Sequence, residues 1–271
     1  MLGPLRMRGR ARALLVAIVA FASSFSGSLS LAEAPLFRPI AGDGLGYLEL
    51  PRGGTVYHLL RVDLARHALR VADARREGRR AATVDELGRE VQALAAVNGT
   101  FFDEKYRPLG LVASAGRELN PLRNVSWWAA FLVREHGSGS TAEILTTAQL
   151  QAIAPAERGP FAAAVQAGPR TVSARQPVKL KEQSAARTAV CVLDPTHVIL
   201  LATEGAAVES NALAAFMAGA PADGGLGCEA GLMFDGGPST QLWIGAPELD
   251  RHVRGGWAVP NALVVLPASA R

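Results

Sequence analysis

Four apolar runs in this chain stop abruptly at a polar residue. Ala95-Ala96-Val97 ends in Asn98, Ala163-Ala164-Val165 in Gln166, Leu200-Leu201-Ala202 in Thr203-Glu204, and Leu232-Met233-Phe234 in Asp235. Short apolar runs bounded by turn residues read as buried strands. Strands placed side by side would bring these polar ends together in one cleft. Each residue taken singly has an ordinary reading: Asn98 as a turn residue, Gln166 as a satisfied buried amide, Glu204 as a solvated loop acid. Their joint occurrence points to a site.

The rest of the chain supplies the sheet and its covers. Val56 to Leu64 alternates as a strand should, with Ala68 to Ala72 as its expected partner. Thr83-Val84-Asp85-Glu86 matches a capping box, and Val84, Leu87, Val91 and Leu94 then recur at helical spacing. Leu109 to Leu119 reads as a hairpin turning at Ala115-Gly116, and Trp127 to Val133 as a further strand. Thr146 to Ile153 reads as a short helix, and Arg187 to Leu193 with His197 to Ala202 as a hairpin. A helix from Ser210 to Met217 stops at Gly219, and Ala262 to Leu266 is the last strand. This interleaving predicts an α+β fold, a single domain with a mixed β-sheet core flanked by helices.

Residues 1–32 read as a secretory signal peptide. Arg6, Arg8, Arg10 and Arg12 form a basic start, Ala13 to Ala22 is apolar, and Ser30-Leu31-Ala32 suits cleavage. The apolar stretch is too short for a membrane anchor. Residues 33–55, rich in proline and glycine, are expected to be loop-rich with one short strand at Tyr47 to Leu50, and 56–271 to form the domain. The signal carries four arginines and no acid, so its removal leaves 24 basic against 24 acidic residues. That balance offers no basic footprint for nucleic acid. The reading places the protein outside the cytoplasm, secreted or periplasmic. Cys191 and Cys228 are the only cysteines, and there a disulfide or two buried thiols are both open.

Met233 to Thr240 concentrates chemistry. Ala230 to Phe234 and Gln241 to Ile244 read as a strand and its return, with Asp235-Gly236-Gly237-Pro238-Ser239-Thr240 between. Glycines let consecutive amides point into one concavity that accepts an anion. The same string also suits an ordinary hairpin turn.

Five segments in order resemble a known family: Val97-Asn98-Gly99-Thr100-Phe101-Phe102, Pro108-Leu109-Gly110-Leu111 leading to Glu118-Leu119-Asn120, Val165-Gln166-Ala167-Gly168-Pro169, Arg187-Thr188-Ala189-Val190, and Phe234-Asp235-Gly236-Gly237-Pro238-Ser239-Thr240. Their order and spacing are similar to the phosphodiester glycosidase domain family, from about Val56 to Leu266. Phe234, Pro238, Thr240 and Thr188 depart from the family's usual residues. The resemblance implies a secreted hydrolase that cleaves a sugar-1-phosphodiester in a glycoconjugate or envelope polysaccharide. The alternative is a non-catalytic periplasmic or cell-surface glycan-binding module.

Such cleavage needs a group acting on the sugar side, a cradle for the phosphate and fixed hydroxyls. Asp235 is expected as base or nucleophile, with Asp103 or Glu204 as a second carboxylate. Arg187 and the Gly236 and Gly237 amides would hold phosphate. Asn98, Gln166, Ser239 and Thr240 would fix hydroxyls, and Trp127-Trp128 could stack on a sugar ring. No cofactor is required by this chemistry, although Asp235, Asn98 and nearby oxygens also suit a divalent cation such as calcium or magnesium. The five histidines lack zinc-site spacing, and no Gly-x-Ser-x-Gly elbow occurs.

Overall fold

Alternation along Thr55–Asp63 shows how the architecture arises: Leu60 and Val62 face a central core while Tyr57 and Leu59 face the opposite side. A strand with two apolar faces must be covered twice. The computed structural model describes Gly3 and residues 36–137, 139–155 and 158–267, so the expected signal peptide, Gly3 apart, lies outside the described residues.

Among the described residues the strands form three principal sheets. The largest has eight strands, in the order Arg38–Pro39, Leu45–Arg52, Thr55–Asp63, His197–Gly205, Thr188–Asp194, Ala230–Met233, Arg170–Ser173 and Gln176–Pro177. A five-stranded sheet runs Arg117–Asn120, Val112–Ser114, Ala163–Ala167, Ala129–His136 and Gly139–Thr146. The other runs Leu249–Val253, Leu242–Ala246, Ala95–Asn98, Asn261–Pro267 and His67–Asp73. One cluster joins them, with Leu200 and Leu232 from the first sheet, Phe131 and Val165 from the second, and Val97 and Leu263 from the third.

The three α-helices are short: Val84–Glu90, Thr147–Ala152 and Ser210–Ala218. Leu87, Leu150 and Leu213 each join a separate apolar cluster on the side of a sheet away from the shared core. The first helix starts as its sequence predicts, the Glu86 carboxylate accepting from the Thr83 N–H at 2.9 Å. It sits close to its sheet because residue 88 is glycine; a Cβ there would meet the Trp243 ring at 2.6 Å.

The expected single mixed sheet is corrected: strand content dominates, and every pairing among the described strands is antiparallel. Two expected pairings are corrected as well. Thr55–Asp63 pairs with Leu45–Arg52 and His197–Gly205, whereas His67–Asp73 pairs with Asn261–Pro267. Leu242–Ala246 does not return beside Ala230–Met233; it pairs with Leu249–Val253 and Ala95–Asn98. A short turn serves a hairpin and a corner between sheets equally well, and long-range packing chooses between them. The short strand expected at Tyr47 to Leu50 is present and longer, Leu45–Arg52, paired along its length. Cys191 and Cys228, both fully buried, are joined in a disulfide with Cα atoms 5.4 Å apart.

Candidate active site

Asp235 lies where the chain leaves the eight-stranded sheet for its neighbour, and this corner is held from several directions. Its N–H donates to the Gly99 carbonyl at 3.1 Å, and its carbonyl accepts from Asn98 Nδ2 at 2.7 Å. Asn98 Oδ1 accepts from the Thr188 hydroxyl at 2.6 Å and from the Gln241 N–H at 3.0 Å. Asn98 is 0% exposed. Its amide therefore serves as a joint between two sheets beneath the site, with its polar atoms turned to the protein. Gly99 permits the close approach, since a Cβ there would meet Asn261 Oδ1 at 2.1 Å.

Asp235 lines a cavity of about 600 Å³. Arg187, Lys179 and Lys181 bring positive charge to its wall; Phe101, Trp127, Pro169 and Phe234 supply apolar surface. Apolar walls with a few converging polar groups are the usual form of a small-molecule site. Burial raises the Asp235 pKa above the ordinary aspartate value, with the Ser239 hydroxyl and the Gly236 N–H offsetting part of the rise. Another cavity of about 510 Å³, beside Phe37, Leu193 and Leu226, has no carboxylate among its lining residues.

Arg187 is buried, and burial lowers its pKa. Its Nε donates to the Val208 carbonyl at 2.9 Å, and Nη2 donates to the Gln183 carbonyl and to Ser210 Oγ. The guanidinium is thus fixed in the wall by Gln183 on one segment and by Val208 and Ser210 at the start of the helix Ser210–Ala218. Gly236 and Gly237 also line the cavity. Their amides are already engaged: Gly236 N–H with Asp235 Oδ1 at 3.0 Å, and Gly237 N–H with the Ala186 carbonyl at 2.8 Å. The expected anion concavity made of these two amides is therefore corrected. Ser239 and Thr240 are buried just beyond, in and after the short 3₁₀ turn Gly237–Ser239.

Three expected site residues lie elsewhere. Gln166 is fully buried; its Oε1 accepts from the Leu111 and Arg123 N–H groups, and its Nε2 donates to the Arg123 carbonyl and Thr147 Oγ1. That is a satisfied core amide. Asp103 binds the Lys105 and Arg107 N–H groups and the Arg107 guanidinium, beside a separate depression, and these bonds hold its pKa low. Glu204 faces His58 Nε2 at 3.3 Å and Arg251 at 3.7 Å. It belongs to a cluster with Tyr47 and Glu49 that links two sheets.

Lys179, Lys181 and Ser210 were not singled out from the sequence as site residues. A signal was present: only three lysines stand among 28 basic residues, and two of them flank Leu180. The two adjacent tryptophans divide, Trp128 buried and Trp127 58% exposed at the cavity, their rings edge to face at 5.7 Å.

The expected cation fits poorly. Asn98 Oδ1 is committed to two donors, and no group of three His, Cys, Asp or Glu residues suited to a metal occurs among the described residues.

Comparison with known proteins shows the family and the fold. A family model described as phosphodiester glycosidase matches residues 91–266. The catalytic domain of zebrafish N-acetylglucosamine-1-phosphodiester alpha-N-acetylglucosaminidase, auto-inhibited by its pro-peptide, is similar in structure: TM-score 0.59, 16% identity, 84% of each chain covered. A protein from Synechocystis matches with TM-score 0.55 and 18% identity over 83% of this chain and 62% of that one. A Burkholderia pseudomallei protein assigned as exported matches with TM-score 0.56 and 14% identity over 79% and 74%. At these identities the structural matches establish the fold. No curated protein matches by sequence.

Proposed function

Because the chain belongs to the phosphodiester glycosidase family, we propose that it is a hydrolase that releases a sugar from a sugar-1-phosphodiester. The observation that carries this reading is the meeting of one partly buried carboxylate, Asp235, with Arg187, Lys179, Lys181 and Trp127 in a single cavity. A carboxylate serves the sugar carbon, cations serve the phosphate, and an exposed indole suits the apolar face of a sugar ring.

One carboxylate suffices for the chemistry. The bond between C1 and the phosphate oxygen breaks with its electron pair leaving on phosphate, which needs no proton to depart. Water attacks C1, and its proton passes to Asp235, whose burial-raised pKa makes it a better base than an exposed aspartate. Arg187 holds the phosphomonoester that forms. Asp103 and Glu204 lie outside this cavity and are given no part, and no step is routed through a metal. Asn98 positions Asp235.

The same reading includes export. The basic and apolar start of the sequence, the Cys191–Cys228 disulfide and the exported Burkholderia relative support it. No helix of the described residues is long and apolar enough to cross a membrane. A non-catalytic glycan-binding role is not favoured, because the family model that matches the chain is that of a phosphodiester glycosidase.

The test is incubation with N-acetylglucosamine 1-(methyl phosphate) and measurement of free sugar and methyl phosphate. Both products should appear, and Asp235→Asn should slow their release by roughly 10²–10⁴-fold. Tight binding of the diester with no product would instead return the binding-module reading.

A further inference from the structure

The cavity carries more positive charge than one phosphodiester can use. Its lining holds three cations, Lys179, Lys181 and Arg187, against the single carboxylate of Asp235. A phosphodiester bears one negative charge. Among the described residues no carboxylate lies within ion-pair distance of either lysine. Cations left unneutralised on a cavity wall attract an anion to it.

The strap carrying the lysines is built. Asn211 in the first turn of the helix Ser210–Ala218 accepts from the Leu180 N–H at 2.8 Å and donates to the Leu180 carbonyl at 3.0 Å. Leu180 also packs against the apolar cluster of that helix. Lys179 and Lys181, on either side of Leu180, both line the cavity. The choice of residue fits. In a chain that uses arginine almost throughout, lysine gives a mobile, strongly hydrated point charge that can follow one anion and release it.

We propose that Lys179 and Lys181 form a second anion subsite, so that the substrates of this cavity carry a further phosphate group on the part of the molecule that leaves with the scissile phosphate. This rests on the reading of the cavity as a sugar-phosphodiester site. It names the substrate class as diesters of sugar 1-phosphate with a phosphorylated alcohol, whether a small molecule or one unit of a phosphate-bearing polymer. The scissile phosphate lies by Arg187 and Asp235, and the second phosphate lies along the strap.

Two measurements test it, one without turnover. In calorimetry the parent should bind inorganic pyrophosphate roughly tenfold more tightly than orthophosphate, and Lys179→Gln/Lys181→Gln should remove most of that difference. In the assay above, kcat/KM for a diester of glycerol phosphate should exceed that for the methyl diester by about tenfold, mainly through KM, with the ratio falling towards one in the double variant. A polymer of repeating phosphodiester units as competitor separates the two sources: inhibition stronger than that of monomeric glycerol phosphate at equal phosphate points to the polymer. A parent indifferent to the second phosphate, or a double variant that keeps the full preference, overturns the proposal. If neither diester is cleaved while the lysine-dependent pyrophosphate preference persists, the subsite stands and the hydrolase reading falls.

Discussion

The side-chain amide of Asn98 donates to the backbone carbonyl of Asp235 at 2.7 Å, across 137 residues of sequence. It ties the end of a strand in one sheet to the corner at which another strand leaves its own. The Asp235 backbone is therefore placed by a buried polar joint, and the cavity lined by Asp235 needs no flexible loop to supply a carboxylate.

Removal of that joint should be costly. Asn98→Ala leaves the Asp235 carbonyl, the Thr188 hydroxyl and the Gln241 N–H without their partner inside the protein. A loss of about 3 kcal/mol in urea unfolding is expected. A loss under about 1 kcal/mol would show that these groups find other partners.

Asp235→Asn should lower kcat by roughly 10²–10⁴-fold while stabilising the fold. Burial raises the folded-state pKa of Asp235, so folding retains a proton that the unfolded chain has already released. Stability at this residue consequently falls as pH rises from the unfolded value of 3.8 through the raised folded value, and stays lower above it. The variant should gain about 0.5–2 kcal/mol near neutrality, a gain that shrinks to nothing below the unfolded value. Thermal melts of both proteins across pH would reveal it, and a pH-independent difference would contradict the cause given.

His58 has the opposite sign. Burial and the nearby Arg251 lower its pKa, against the pull of Glu204 and Glu49, while Tyr47 shares its Nδ1. The unfolded chain takes up this proton near 6.5, before the folded protein does. Stability is present above that value and declines as pH falls from it towards the lowered folded value. His58→Gln should flatten this part of the profile, and an unchanged slope between pH 6.5 and 5 would disprove it.

Trp127→Ala should raise KM by up to about tenfold with unfolding stability changed by less than roughly 0.5 kcal/mol, since the ring is 58% exposed and lines the cavity. An unaltered KM would remove the indole from sugar binding.

Replacement of both cysteines by alanine opens a loop spanning 37 residues and should cost about 4 kcal/mol by the chain-entropy model. Urea unfolding of the parent with and without reductant should reproduce the same difference. Equal midpoints would show that the bridge contributes nothing.

Much of the fold is legible locally. Alternation in Thr55–Asp63, the capping box before Val84–Glu90 and the turn at Ala115-Gly116, where both residues have positive φ, are each written within a few residues. The segments carrying Asn98 and Asp235 are equally plain, because an apolar run that ends in a polar group needs no partner to be recognised.

Sequence alone thus determined many of the strands, their apolar faces and the polar groups that end them, since these follow from local periodicity and backbone preference. Only the tertiary structure decided which of those ends meet. Gln166 and Glu204 end similar runs, yet one is turned into hydrogen bonds within another sheet and the other towards His58 and Arg251. The lysines beside Leu180 look like an ordinary exposed segment until Asn211 fixes them at the cavity. The physical reason is that a strand's period specifies its faces, whereas its neighbours are selected by contacts between residues far apart in the chain.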